Sequence, residues 1–130
     1  MPAKPAVQVT GAKELRKALQ RMGADLSDLT RIHRDVAGIV REAAVQRVPV
    51  RSGKLRGTIK GKGTKARATV TAGSRVVPYA GPIHFGWPAR NIEPQPFLYD
   101  ALDERKGEVA RRYEDLVGDL VKKLDRETPG

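Results

Sequence analysis

The sequence has no cysteine, few aromatic residues and no long apolar run, and each absence removes a class of protein. Without cysteine there is no disulfide scaffold, no thiolate metal site and no cysteine nucleophile. No apolar run approaches the ~20 residues that a membrane-spanning helix needs. The first residues also lack the apolar stretch of a signal peptide. We therefore expect a soluble protein made in the cytoplasm, with no membrane partner.

The chain is long enough for one domain with a hydrophobic core, and too short for two stable domains that each have a core. It has 130 residues, of which 39% are apolar and 31% charged. The apolar residues follow regular patterns, which argues against wholesale disorder. We predict a single domain over residues 1–130, with flexible ends over residues 1–8 and 126–130.

Acidic residues are missing from the middle of the chain. Residues 43–92 contain ten basic residues and no acidic one, so this segment carries +10, the whole net charge of the protein. Residues 1–42 carry +3 and residues 93–130 carry −3. A segment of one sign attracts polyanions such as phosphate backbones. A solvated basic face is an equal alternative on charge alone, because no aromatic residues interleave with these basic residues as a single-strand stacking platform requires.

Apolar residues at helical spacing predict three helices. A short one lies between Thr10 and Gly23, and a second follows Asp25 as N-cap and ends before Pro49. A long terminal helix begins at Pro96-Phe97 and has an apolar stripe from residue 98 to residue 124.

Alternating residues predict the strands. These are Val7-Gln8-Val9 as an edge strand, Leu55–Ile59, Ala66–Ala72 and Tyr79–Phe85, with residues 60–65 as a hairpin tip or mobile loop. The alanines of the third segment indicate a thin inner face packed closely under a helix. The order of elements predicts an α+β fold with a mostly antiparallel sheet, two N-terminal helices and a long C-terminal helix packed on one face.

Residues for catalysis are scarce. Neither His33 nor His84 has a metal-ligand cluster at a suitable spacing, and no acidic residue lies in the predicted strand of His84. His33 is expected to be structural. No serine stands in a nucleophile elbow, and Gly61-Lys62-Gly63-Thr64 does not precede a helix as a phosphate loop does. The carboxylates of the terminal helix are expected to be solvated. We predict no enzyme, no cofactor and no metal site.

Three stretches in this order and spacing resemble a known family. They are Val48-Pro49-Val50-Arg51-Ser52-Gly53-Lys54-Leu55-Arg56, then Tyr79-Ala80 followed by Ile83-His84-Phe85-Gly86, then Pro94-Gln95-Pro96-Phe97-Leu98. Together they resemble the small tail-completion, or neck, proteins of long-tailed double-stranded DNA bacteriophages, over roughly residues 10–125. The chain departs from the family at His84, where an acidic residue is frequent, so no interface salt bridge is carried over to that position.

The resemblance implies a structural protein of the virion. Such proteins form a homo-oligomeric ring, expected to be a hexamer, that joins the head connector to the tail tube and lets packaged double-stranded DNA pass. The implied partners are other copies of the chain, the neighbouring connector and tube proteins, and the DNA. The implied location is the tail or neck of the virion, and the host cytoplasm during assembly.

Two sets of residues are candidates for these contacts. The basic set, for a subunit interface or a DNA channel, is Arg51, Lys54, Arg56, Lys60, Lys62, Lys65 and Arg67. The interface anchors are His84, Trp87 and Phe97, with the alternative that Trp87 covers the core of its own subunit. The competing function is a sequence-tolerant DNA- or RNA-binding architectural protein, which the basic middle and its glycine-containing hairpin favour.

Overall fold

The computed structural model of the chain describes residues 4–10, 13–48, 53–75 and 77–127. In chain order its elements are β1 (Ala6–Thr10), α1 (Lys13–Arg21), α2 (Leu26–Arg47), α3 (Gly53–Arg56), β2 (Lys60–Gly63), β3 (Arg67–Thr71), α4 (Ala80–Phe85), a 3-10 turn (Pro88–Arg90) and α5 (Phe97–Glu127). The predicted α+β class is confirmed. The three strands form an antiparallel sheet, and α5 packs against both this sheet and α2.

Helix α2 begins and ends where the sequence predicts. The Asp25 carboxylate accepts the Asp28 N–H at 2.8 Å, and the Asp28 carboxylate accepts the Asp25 N–H at 3.2 Å. This reciprocal pair satisfies two donors that the first turn leaves without helical partners. At the other end, Val48 is extended with ψ 141°, as expected for a residue that precedes proline.

The sheet lies directly on α2. β3 is the central strand, β1 and β2 are the two edges, and Ala68 and Val70 of β3 are buried on the inner face. A Cβ added at Gly61 would lie 3.2 Å from the Ala37 carbonyl oxygen, and one at Gly63 would collide with the backbone of Arg34. The backbones of β2 and α2 therefore touch, which glycine permits, and this agrees with the thin inner face that was predicted.

Helix α5 runs antiparallel to α2, as the order of three ion pairs demonstrates. They are Arg47–Glu104 at 2.8 Å, Asp35–Arg112 at 2.7 Å and Asp28–Lys123 at 3.2 Å. The predicted apolar stripe of α5 faces inward in two parts. Its first turns join the core beneath the sheet, and Leu120 and Leu124 pack with Leu19 and Leu29.

The predicted strand over Leu55–Ile59 is wrong. Helix α3 and a turn occupy this segment, and the Thr58 hydroxyl donates to the Leu55 carbonyl at 2.6 Å. Leu55 and Ile59 are both buried. Their spacing of four residues places them on one side of a helical turn as readily as it places them on one face of a strand.

The predicted strand over Tyr79–Phe85 is also wrong, because α4 occupies it. The Ile83 N–H donates to the Tyr79 carbonyl at 3.1 Å. Pro82 lies in the first turn, where the helix does not use its missing N–H. As a result His84 points into the core with Ala80, four residues earlier, while Phe85 is exposed.

Three boundaries differ from the prediction. Residues 60–63 form β2, and the hairpin turns through residues 64–66, where the Thr64 N–H donates to the Arg67 carbonyl at 2.9 Å. Residues 6–8, expected in a flexible end, belong to β1, and α5 continues through Glu127.

Within the described ranges, none of the helices combines the length and the apolar character needed to cross a membrane.

Candidate interaction surfaces

Strands β2 and β3 and the turn between them carry four exposed basic side chains, which we call the basic hairpin: Lys60, Lys62, Lys65 and Arg67. The register places Lys60 opposite Thr71 and Lys62 opposite Thr69. Because side chains alternate along a strand, both lysines share the outer face of the sheet with Arg67. The neighbouring strand adds Gln8, whose amide oxygen accepts from Arg67 at 3.4 Å.

The charge of the basic hairpin is not neutralised within the described parts of the chain. The ion pairs found there lie within α2, within α5 or between these two helices, and none includes a basic residue between positions 54 and 75. The charges of α2 and α5 are therefore partly paired, whereas the field of the basic hairpin extends into solvent over roughly 10 Å at physiological salt. Such a surface attracts an acidic protein face or a phosphate backbone.

Two of the other predicted basic residues lie on a different element of the fold. Lys54 and Arg56 are exposed on α3, outside the sheet. Arg51 lies outside the described residues. A residue that the prediction did not include, Arg41, supports the hairpin, because its Nε donates to the Ile59 carbonyl at 2.9 Å.

His33 anchors the turn of the basic hairpin to α2. Its Nδ1 donates to the Thr64 carbonyl at 2.8 Å, and its ring meets Tyr113 of α5 edge-on, with centroids 5.7 Å apart. Burial raises the pKa of Tyr113 to about 12, so the phenol stays neutral. The structural role predicted for His33 is confirmed.

His84 and Phe97 lie inside the fold, which corrects their prediction as interface anchors. They are 0% and 2% exposed, and their ring centroids are 5.1 Å apart. Phe97 belongs to the main core cluster. Burial lowers the pKa of His84, while the charge of nearby Asp100 acts in the opposite direction.

Two aromatic rings that were not predicted as a site lie above His84 and form what we call the aromatic patch: Phe85 and Tyr99. They are 40% and 47% exposed, and their centroids are 6.1 Å apart. The sequence does contain a signal for this patch, since five of the six aromatic residues lie between positions 79 and 99. Periodicity placed Phe85 on a strand and left Tyr99 outside the stripe of α5, without assigning it a role.

A groove continues from the aromatic patch along α5. Its volume is about 460 Å³, and it is lined by Tyr99, Leu102, Asp103, Lys106 and Val109. Asp100 and Asp103 are exposed beside Tyr99. The surface therefore combines aromatic faces with an acidic rim, opposite in sign to the basic hairpin.

Trp87 is half-buried in the loop that precedes α5. It pairs with Ile92 in an isolated bridge, and the Arg90 guanidinium lies 5.0 Å from the centre of its ring. The loop is tight, because Gly86 has φ 79° and a Cβ there would lie 2.9 Å from Pro94. Trp87 is thus partly covered by its own loop, and its role as an interface anchor stays a prediction.

The surfaces described above are suited to binding. Among the residues that the structure describes, no three histidine or carboxylate side chains are grouped to hold a metal ion. Comparison of the chain with known protein families, curated proteins and solved structures gives no match. The chain's own residues and the resemblance of its three motifs are what indicate its function.

Proposed function

We propose that this chain is a structural subunit of the neck of a long-tailed double-stranded DNA bacteriophage. Copies of it form a ring, expected to be a hexamer, that joins the head connector to the tail tube and leaves a channel for the packaged DNA. It acts without a cofactor and without catalysis. It is located in the virion, and in the host cytoplasm during assembly.

The observation that carries the proposal is the unneutralised charge of the basic hairpin. A subunit of a closed ring presents two different complementary surfaces to its neighbours. The basic hairpin and the acid-rimmed surface of α5 have the opposite signs that such a contact uses. The resemblance of the three motifs to neck proteins supports a ring at the junction of head and tail in particular.

The composition of purified phage particles tests this proposal. We expect the chain in mature virions, with density for a ring at the neck in electron micrographs. Deleting its gene should leave filled heads and free tails that do not join. Virions that lack the polypeptide, or that mature normally without it, would refute the neck function.

A triple variant separates the two roles open to the basic hairpin within the ring. In Lys60→Glu/Lys62→Glu/Lys65→Glu, loss of ring formation indicates that the hairpin contacts another subunit. Normal rings with impaired DNA retention indicate that it faces the channel. Lys4→Glu/Lys17→Glu/Lys122→Glu is the matched control, because it makes the same change in net charge at exposed lysines elsewhere.

The second candidate function is sequence-tolerant binding of DNA or RNA. The same face favours it, since four exposed cations on one hairpin are positioned to contact a phosphate backbone. If all four contact phosphates, the log of the affinity should fall with the log of salt concentration with a slope of about −3.6. Tight duplex binding by a monomer with this slope supports the second function. Negligible binding together with ring formation supports the first.

A further inference from the structure

We propose that the basic hairpin of one copy docks on the aromatic patch of a second copy. This contact links the copies head to tail, and it rests on the ring assembly proposed above. It assigns the hairpin to a subunit contact, and it assigns a role to the exposed rings of Phe85 and Tyr99, which the sequence did not predict.

The aromatic patch is already ordered for binding. Phe85 and Tyr99 each meet the buried ring of His84 edge-on, with centroid distances of 4.6 and 4.5 Å. Phe97 closes the same cluster from the core side. Because both exposed rings are held from below, a partner that packs on them loses little side-chain freedom at the contact.

The rim of the patch selects a cationic partner. Asp103 forms only a loose, exposed pair with Lys106 at 3.5 Å, and such pairs contribute little. Asp100 has no ion pair with any residue that the structure describes. Lysine suits this combination, since its methylene stem covers apolar surface while its ammonium reaches a ring face or a carboxylate.

The basic hairpin supplies lysines on a fixed support. Lys60 and Lys62 project from one face of β2, and Lys65 lies at the turn. The hairpin is held against α2 by close backbone contact at Gly63 and by the bonds from His33 and Arg41. The two surfaces are thus both rigid and opposite in charge.

The position of the two surfaces in the fold suits a head-to-tail contact. β2 is one edge of the sheet, whereas α5 meets the sheet at β1, the other edge. A contact between two unlike surfaces of a molecule leaves each copy with one free surface of each kind. Copies therefore continue to add until the row closes, as a ring requires.

Charge reversal on each surface tests the contact. The hairpin variant is Lys60→Glu/Lys62→Glu/Lys65→Glu and the patch variant is Asp100→Lys/Asp103→Lys. Sedimentation at low salt should find that the wild type self-associates and that each variant alone associates about 100-fold more weakly. An equimolar mixture of the two variants should regain association, because each reversed surface meets a surface of opposite charge.

Matched controls separate this contact from net charge. Lys4→Glu/Lys17→Glu/Lys122→Glu and Asp115→Lys/Asp125→Lys change exposed residues elsewhere and should associate like the wild type. Thermal unfolding checks the fold of every variant. Where a multiple variant does not fold, the single changes Lys62→Glu and Asp103→Lys take its place in the same mixing experiment.

Three outcomes would overturn the inference: a wild type that stays monomeric at millimolar concentration, variants that associate normally, or a mixture that does not regain association. A different experiment would refute the neck function. The absence of the chain from virions refutes that function, whatever the chain does in solution. Rings in virions that tolerate both charge reversals would leave the neck function standing and refute this contact alone.

Discussion

At the scale of single residues, His84 has an unusual environment for a titratable side chain. It is fully buried among aromatic rings, and neither ring nitrogen has a hydrogen-bond partner among the residues that the structure describes. The imidazole lies too deep for its charge to be solvated, and burial therefore lowers its pKa, whereas the negative charge of Asp100 acts to raise it. The neutral form is the one that this site holds.

This environment predicts a loss of stability at mildly acidic pH. The unfolded chain takes up a proton at His84 near pH 6.5, while the folded chain resists it. The free energy of unfolding should therefore fall as the pH drops below 6.5, by at most about 1.4 kcal/mol per pH unit from this group. Urea unfolding of the wild type and of His84→Leu at pH values above and below 6.5 measures the effect. Equal pH dependence in the two proteins would contradict it.

Gly63 is a second single residue on which the fold depends. A Cβ at this position would collide with the backbone nitrogen of Arg34 and lie 2.6 Å from its Cα. We expect Gly63→Ala to lower the free energy of unfolding by about 1–3 kcal/mol, because α2 and β2 would have to separate. Denaturant unfolding measures the change.

Gly38 provides the control for this prediction. It lies inside α2 with open space around the position of a Cβ. Gly38→Ala should therefore raise the free energy of unfolding by up to about 1 kcal/mol through helix propensity. If the two substitutions change the free energy of unfolding similarly, the close approach of β2 to α2 at Gly63 is not the reason why alanine is destabilising there.

At the scale of elements, α2 organises the molecule. It contacts β2 and β3 on one side and α5 on another. Asp28, in its first turn, is shared between the cap of α2 and the ammonium of Lys123 on α5. The start of α2 therefore stabilises both its own helix and the docking of the last turns of α5.

The capping box of α2 gives a prediction at this scale. Asp25→Ala removes the acceptor for the Asp28 N–H and should lower the free energy of unfolding by about 1 kcal/mol. Asp25→Ser keeps a side-chain oxygen at the N-cap and should retain most of the stability. Denaturant unfolding of the two variants beside the wild type measures this. Equal losses would mean that the cap hydrogen bond is not the source of the effect.

At the scale of the whole molecule, opposite charges lie on different elements of the fold. The basic hairpin occupies the β2 edge, and the acid-rimmed aromatic patch lies where α4 meets α5. The total of +10 conceals this separation. A contact between these two surfaces has an electrostatic contribution, which salt weakens, and an apolar contribution, which salt does not weaken.

Salt dependence of self-association follows from this arrangement. The Debye length is about 30 Å at 0.01 M salt and about 3 Å at 1 M. We expect sedimentation to report weaker self-association at 1 M salt than at 0.01 M salt. The association that remains at high salt should be lost in Tyr99→Ser. Association that is insensitive to salt would argue against a contact between the two charged surfaces.

Much of the fold could be predicted from local features of the sequence. Asp25 and Pro49 delimit α2, and the long stripe after Phe97 identifies α5, because capping and apolar periodicity act within a few residues along the chain. The alternation in residues 66–72 likewise identifies β3. The acid-free segment predicts a basic surface in any fold that exposes it.

Short segments and contacts between distant residues were decided by the tertiary structure alone. A spacing of four residues, as between Leu55 and Ile59, fits a strand or a helical turn, and the choice depended on what the surrounding core could bury. The sequence also could not reveal that His84 and Phe97 lie inside while Phe85 and Tyr99 lie outside. That division depends on how α4 packs against the start of α5 across the intervening loop, and apolar periodicity within one element carries no information about that packing.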